Sequence, residues 1–339
     1  MQRCLDLALS GAGNVAPNPM VGAVLVYNNR VIGEGFHEVY GGPHAEVNCI
    51  QSVLPEDRPL ISNSTLYVSL EPCVHFGITP PCTDLIIKFN IPQVVIGCGD
   101  TFAEVNGKGI EKLRVNGVNV ITGVLEKEAI DLNKRFFTFH QNKRPYVILK
   151  WAQSADRMIG KRNEKVLISN EDSQRLVHRW RAEEAAIMVG TETALVDDPS
   201  LTTRLWPGKN PIRIVIDKNL RLPNSLKLFD KDSDTIIINY EKEETTGNPE
   251  FVKVNVDQNL ISQIMNVTYE RRILSLIVEG GAKLLQSFID AGVWDEARII
   301  DNGELIIGND VEAPNLSSKA LTDTIKLDSD IIHFFRKES

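Results

Sequence analysis

His44, Glu46, Cys73 and Cys82 have the types and spacing to do chemistry. One imidazole and two thiolates offer three ligands to a tetrahedral zinc ion and leave a fourth position for water, which separates a catalytic site from a closed structural one. Glu46 stands two residues after the histidine, at the start of an expected helix, within reach of a proton leaving an activated water and of an amine that must receive it. That combination is suited to hydrolytic deamination. His44-Ala45-Glu46 and Pro72-Cys73 match the zinc-deaminase signature. Cys82 lies nine positions after Cys73 instead of three, so the loop between the two ligands must bulge out and can contact substrate. Both cysteines fall where a strand ends and a helix begins, and a helix N-terminus favours the thiolate. The softness of the ligand set favours zinc among the divalent metals.

The elements that hold these residues read as alternating strands and helices. Apolar runs at 21–26 and 31–34 flank Asn28-Asn29 as a hairpin. Residues 44–53 read as a helix after the Gly41-Gly42-Pro43 breaker, 65–70 as a strand, 83–89 as a helix and 94–98 as a strand. A helix and strand pair follows at 109–124, and 125–140 reads as one charged helix. The polar stretch Gln141-Asn142-Lys143-Arg144-Pro145 marks the expected boundary between domains 1–142 and 143–339. In the second half, strands are expected at 146–151, 186–189, 212–216, 235–238, 274–278 and 297–300. Helices are expected at 171–184, 261–270 and 282–291, and 241–248 reads as a surface loop.

Two domains also follow from the length of 339 residues. Lys+Arg 37 against Asp+Glu 45 gives a net charge of −8, with 10 against 14 up to Asn142 and 27 against 31 beyond it, so both halves carry −4. Neither half has the basic field that a nucleic-acid backbone needs, although an arginine pair can still hold one phosphate. Five cysteines, at 4, 49, 73, 82 and 98, make an odd count that fits reduced thiols and a metal site better than a disulfide framework. Cys49, on the helix that His44 begins, reads as a core thiol. No apolar run reaches membrane-spanning length, and Met1 leads directly into a helical pattern, so a cytoplasmic enzyme is expected.

The sequence resembles the bifunctional deaminase/reductases of riboflavin biosynthesis. The resemblance rests on Pro17-Asn18-Pro19-Met20-Val21-Gly22, His44-Ala45-Glu46-Val47, the run from Leu70-Glu71-Pro72-Cys73 to Thr79-Pro80-Pro81-Cys82, residues 191–204 and Val278-Glu279-Gly280-Gly281. It implies an N-terminal cytidine-deaminase-like three-layer α/β/α domain followed by a dihydrofolate-reductase-like α/β domain. The implied activity is zinc-dependent deamination of 2,5-diamino-6-ribosylamino-4(3H)-pyrimidinone 5′-phosphate, followed by NADPH-dependent reduction of the ribosyl chain to ribityl.

By the same resemblance His44, Cys73 and Cys82 are the zinc ligands, Glu46 is the proton shuttle and Asn18 is a pyrimidine-recognising amide. NADPH is expected along Ala152, Thr193, Asp197 and the run Gly281, Ala282, Lys283, Leu284, Leu285, Gln286 and Ser287. Substrate contacts in the second half are expected from Ser169, Arg181, Leu201, Arg204 and Glu279, with Arg181 and Arg204 as a phosphate-binding pair. Lys150 is expected near the ribose.

Three positions depart from the family pattern. Ile78 replaces a frequent lysine, Arg157 a usual glycine and Leu167 a frequent aromatic. Arg157 is expected to narrow the approach to the cofactor. The expected partners are a small phosphorylated pyrimidine and further copies of the chain in a homo-oligomer, with no nucleic acid and no membrane. An alternative is a zinc deaminase whose second domain is catalytically silent. A nucleoside or tRNA deaminase, permitted by the same zinc ligands, is disfavoured by the acidic charge and the long loop between the cysteines.

Overall fold

The computed structural model describes all residues except 75, 77–79, 101–105, 163, 318 and 339, so His75 and Ile78 lie outside the described residues. The chain forms two compact units, Met1–Lys143 and Arg144–Ser339. Among the described residues no helix is long and apolar enough to cross a membrane.

In the first unit α1 (Gln2–Leu9) precedes the hairpin β1 (Gly22–Tyr27) and β2 (Arg30–Phe36), which turns through Asn28 and Asn29 at positive φ. Next come α2 (Ala45–Gln51), a 3-10 segment (Pro55–Asn63), β3 (Thr65–Leu70), α3 (Cys82–Lys88) and β4 (Gln93–Cys98). The unit ends with α4 (Lys108–Val115), β5 (Asn119–Ile121), α5 (Glu126–Leu132) and α6 (Lys134–Asn142). The sheet order is β2-β1-β3-β4-β5, antiparallel on the hairpin side and parallel from β3 to β5. Leu25, Leu66, Val68 and Ile96 of the strands pack with Cys49, Ile50 and Ile86 of the helices in one core. The single helix expected over 125–140 is two. Asn133 breaks it, accepting from the Met20 amide at 2.8 Å and donating to the Met20 carbonyl at 2.9 Å, which anchors the loop after Asn18.

The glycines of β2 let α2 lie close on the sheet. A Cβ on Gly35 would stand 2.5 Å from the Cys49 nitrogen, and one on Gly33 would stand 2.5 Å from the Cys49 oxygen. The N-terminus of α2, with His44 before it, is set by that contact.

The second unit opens with β6 (Tyr146–Ser154), β7 (Met158–Gly160), α7 (Glu171–Glu183), β8 (Ala186–Gly190) and α8 (Thr191–Asp197). It continues through β9 (Ile212–Ile216), β10 (Thr235–Asn239), β11 (Glu250–Lys253), α9 (Leu260–Glu270) and β12 (Ser275–Val278). Last come α10 (Ala282–Asp290), β13 (Glu296–Asn302), β14 (Val311–Glu312), β15 (Lys319–Leu327) and β16 (Asp330–Lys337). Nine strands form one sheet in the order β11-β10-β9-β8-β12-β6-β13-β16-β15, parallel from β11 to β13 and antiparallel at the C-terminal hairpin. Strands β8, β12 and β6 are neighbours, so their C-terminal ends lie side by side, where open α/β sheets bind ligands. One face is covered by α9 and α10 and the other by α7 and α8.

Candidate functional site

His44 is the N-cap residue of α2 in extended backbone, Cys73 follows the end of β3 and Cys82 is the first residue of α3. The His44 Nδ1 atom lies 3.5 Å from Cys73 Sγ and 3.4 Å from Cys82 Sγ, and the three ligand atoms all fall within 4.8 Å of one another. One nitrogen and two sulfurs this close are the donor set zinc takes. The second sulfur is brought back over the long loop by backbone bonds: the Cys82 amide donates to Cys73 Sγ at 3.3 Å, and the Thr83 amide and hydroxyl both donate to the Cys73 carbonyl at 3.2 Å. The two thiols compete for charge. A hydrogen bond from Cys82, then one from His44, holds Cys73 down to about 4, while the hydrogen bond to Cys73, and then burial, push the Cys82 thiol up. A divalent cation between them favours the thiolate on both.

Glu46 lies in the first turn of α2 and is 4% exposed. Burial, and then the negative charge of Cys73, push its carboxyl up, which makes it a stronger proton acceptor than a free carboxylate. That is the property a proton shuttle between water and a leaving amine requires. Asn18 approaches through His37, its amide nitrogen 3.1 Å from His37 Nε2, and the His37 ring sits edge-on to His44 at 5.5 Å between centroids. Cys49 is fully buried, and burial pushes its thiol up. All five cysteines are free.

In the second unit a buried charge cluster lies beside the ends of β6 and β12. Arg181, on α7, donates from Nε and Nη2 to the two carboxylate oxygens of Glu279 at 3.0 and 2.6 Å, and Lys150 Nζ of β6 stands 3.9 Å from the same carboxylate. Burial pulls Glu279 up, but the charges of Arg181 and Lys150 outweigh it and bring it down to about 2. Burial lowers Lys150, and Glu279 opposes that. The guanidinium of Arg181 is therefore already engaged by a carboxylate. Arg204 donates to the Thr202 hydroxyl at 2.9 Å, Arg181 reaches the Thr202 carbonyl at 3.4 Å, and Arg204 is exposed and makes no ion pair among the described residues. Of the two arginines, Arg204 is the one open to an incoming phosphate. Leu201 is buried at positive φ, and Ser169 lies just before the cap of α7, its carbonyl held by Gln174.

The residues expected to bind the cofactor fall into two groups. Thr193 and Asp197 are one helical turn apart on α8. Thr193 packs against the Gly280-Gly281 turn so tightly that a Cβ on Gly280 would stand 2.9 Å from its methyl group. Gly281 has φ +72, and no side chain caps the amides of α10. An uncapped helix N-terminus behind a glycine turn suits a phosphate. Ala152 is on β6 beside Ile300 of β13. Further along α10, Leu285 is fully buried in the core, Gln286 bonds to Asp290 and the Asn315 amide, and the Ser287 hydroxyl donates to Leu284. This leaves Gly281, Ala282 and Lys283 as the part of the run with amides to offer.

Arg157 adopts φ +62, which accounts for the glycine expected there. Its side chain lines a cavity with Trp151, Gln153 and Asp301, and Leu167 is 70% exposed. Sequence reasoning missed two groups that shape these sites. Glu71, adjoining Pro72, accepts from the amides of Asp100, Gly107, Gly109 and Ile110, and His178, under Arg204, accepts from the Leu205 amide at 3.5 Å. Only the alternation of Leu70-Glu71 at a strand end hinted at the first, and nothing in the sequence marked the second.

The fold and the metal set define a zinc-type nucleotide deaminase joined to a reductase of the dihydrofolate-reductase-like class. Residues 1–98 match the cytidine and deoxycytidylate deaminase zinc-binding region, and residues 145–325 match the RibD C-terminal domain. The chain is 37% identical to the riboflavin biosynthesis protein RibD of Aquifex aeolicus, covering 99% of this chain and 97% of the relative. A Thermotoga maritima structure described as a diaminohydroxyphosphoribosylaminopyrimidine deaminase/5-amino-6-(5-phosphoribosylamino)uracil reductase superposes with TM-score 0.90 at 36% identity, over 99% of this chain and 97% of that one. RibD of Acinetobacter baumannii superposes with TM-score 0.89 at 29% identity, over 100% and 98%. The chain belongs to the RibD family of bifunctional riboflavin-biosynthesis deaminase/reductases, and it carries both domains.

Proposed function

We propose that residues 1–142 deaminate 2,5-diamino-6-ribosylamino-4(3H)-pyrimidinone 5′-phosphate and that residues 143–339 then reduce its ribosyl chain to ribityl. The observation that carries the reading is the meeting of His44, Cys73 and Cys82 within 4.8 Å beside a buried Glu46. His44, Cys73 and Cys82 would hold zinc, which when bound would supply the Lewis acidity that makes water a nucleophile at neutral pH. Glu46 takes the proton and returns it to the departing amine, and Asn18 orients the ring. In the second domain NADPH, when bound, would supply the hydride. Thr193, Asp197, Ala152 and the turn running from Gly281 into Ala282 and Lys283 hold the cofactor, with Leu284, Leu285, Gln286 and Ser287 shaping the helix behind it. Arg204 takes the substrate phosphate, while Arg181, Glu279 and Lys150 form a charged wall near the sugar, with Ser169 and Leu201 completing the pocket. The enzyme works in the cytoplasm as a homo-oligomer.

Glu46→Gln tests the assignment. The variant should retain one zinc per chain, release ammonia at least about 100-fold more slowly, and still oxidise NADPH when given the deaminated intermediate. Ammonia release near the wild-type rate would remove Glu46 from the reaction.

A further inference from the structure

We propose that His37 is a positioning residue that fixes the amide of Asn18 so that its carbonyl oxygen, and not its NH2 group, is presented to the substrate ring. The inference rests on the reading of this unit as a deaminase in which Asn18 meets the pyrimidine. It follows from an obligatory sequence of donors and acceptors. The Pro43 carbonyl can only accept, so His37 Nδ1, 2.9 Å away, must donate to it. A neutral imidazole then has only a lone pair left at Nε2. The Asn18 amide group at 3.1 Å from Nε2 must therefore turn its NH2 toward His37 and its oxygen the other way.

His37 is 3% exposed, so its ring is held in place by these two contacts and the packing around it. Its backbone is also fixed, the amide donating to the Val21 carbonyl at 2.9 Å. Pro43 directly precedes His44, so the segment that sets the first metal ligand also sets the polarity of Asn18. Both ring nitrogens of His37 are occupied, and it acts on the substrate only through Asn18. The consequence is a selection rule. The site accepts a ring edge that offers an N–H or amino donor to Asn18 and disfavours one that offers only acceptors, because an inverted amide would point its NH2 at the substrate and leave the buried Nε2 facing an oxygen.

The test uses the zinc-loaded full chain. Ammonia release by wild type, His37→Ala, Asn18→Ala and the double variant is measured with bound zinc, and the wild-type ring tautomer of His37 is read from 15N-labelled histidine. His37→Ala should lower kcat/KM by about 10-fold or more, chiefly through KM, at unchanged zinc content. In the Asn18→Ala background the same substitution should change kcat/KM by less than about two-fold. A loss of equal size in both backgrounds would show that His37 acts by another route and overturn the proposal. Wild-type kcat/KM in Asn18→Ala, with ammonia still lost in Glu46→Gln, would also overturn it while leaving the deaminase reading standing. Absence of ammonia release from wild type would instead strike that reading. The tautomer is independent of activity: a proton on Nδ1 and none on Nε2 is expected, and a proton on Nε2 contradicts the relay whatever the kinetics.

Discussion

At the residue scale both halves depend on buried charge that a few neighbours keep in one state. Glu279 is the clearest case, since it neutralises Arg181 and Lys150 together. Glu279→Gln would leave two buried cations without their carboxylate, so we expect a loss of about 3 kcal/mol or more in the unfolding free energy of the second unit. Reduction should be lost and ammonia release kept, with urea unfolding and the two rates as readouts. His178 sets an acid limit on the same unit. Burial, then the charges of Arg181 and Arg204, lower it from 6.5 to about 4. Between those values the unfolded chain binds a proton that the folded chain does not, so stability rises with pH across the interval and falls as pH drops from about 6.5 to 4, by roughly 3 kcal/mol at most. Glu279 adds to this below about 4.5, where its own depressed value begins to cost stability. His178→Gln should flatten the melting temperature between pH 6.5 and 4.5, and an unchanged slope would place the titrating group elsewhere.

At the element scale the deaminase chemistry depends on how closely α2 lies on β2. Gly35→Ala puts a methyl group 2.5 Å from the Cys49 nitrogen, a backbone atom that cannot move without shifting the helix. Overpacking of this kind costs about 1–3 kcal/mol, and the shift displaces Glu46 relative to the cysteines, so ammonia release should fall more than melting temperature alone explains. The zinc ligands and most core strands were legible in the sequence because they carry strong local signals: apolar runs of strand length, a breaker before α2 and a ligand set of fixed types. The break at Asn133 was not, since it is made by two bonds to Met20, more than a hundred residues away. Nor was β15, whose residues from Lys319 to Thr324 are all exposed and carry no apolar alternation. Likewise α8 buries only Ala194, which is too little to mark a helix. The pairing of Arg181 with Glu279 joins positions 98 apart, so no local pattern could announce it.

At the scale of the whole molecule the chain is two units, each with its own sheet and core. Fragments divided at Lys143 and Arg144 should each fold, the first binding zinc and releasing ammonia and the second oxidising NADPH with the deaminated intermediate. Circular dichroism and the two separate assays check this, and an unfolded first fragment would show that its core needs the second. The central claim is that one chain performs both steps in order, and a coupled assay with the diaminopyrimidinone ribosylamine phosphate tests it most directly. With the purified zinc-loaded protein, one ammonia should appear for each substrate consumed, followed by one NADPH oxidised. Ammonia release with no NADPH consumption, even when the deaminated intermediate is supplied, would contradict the account and leave the second unit without the reductase activity assigned to it.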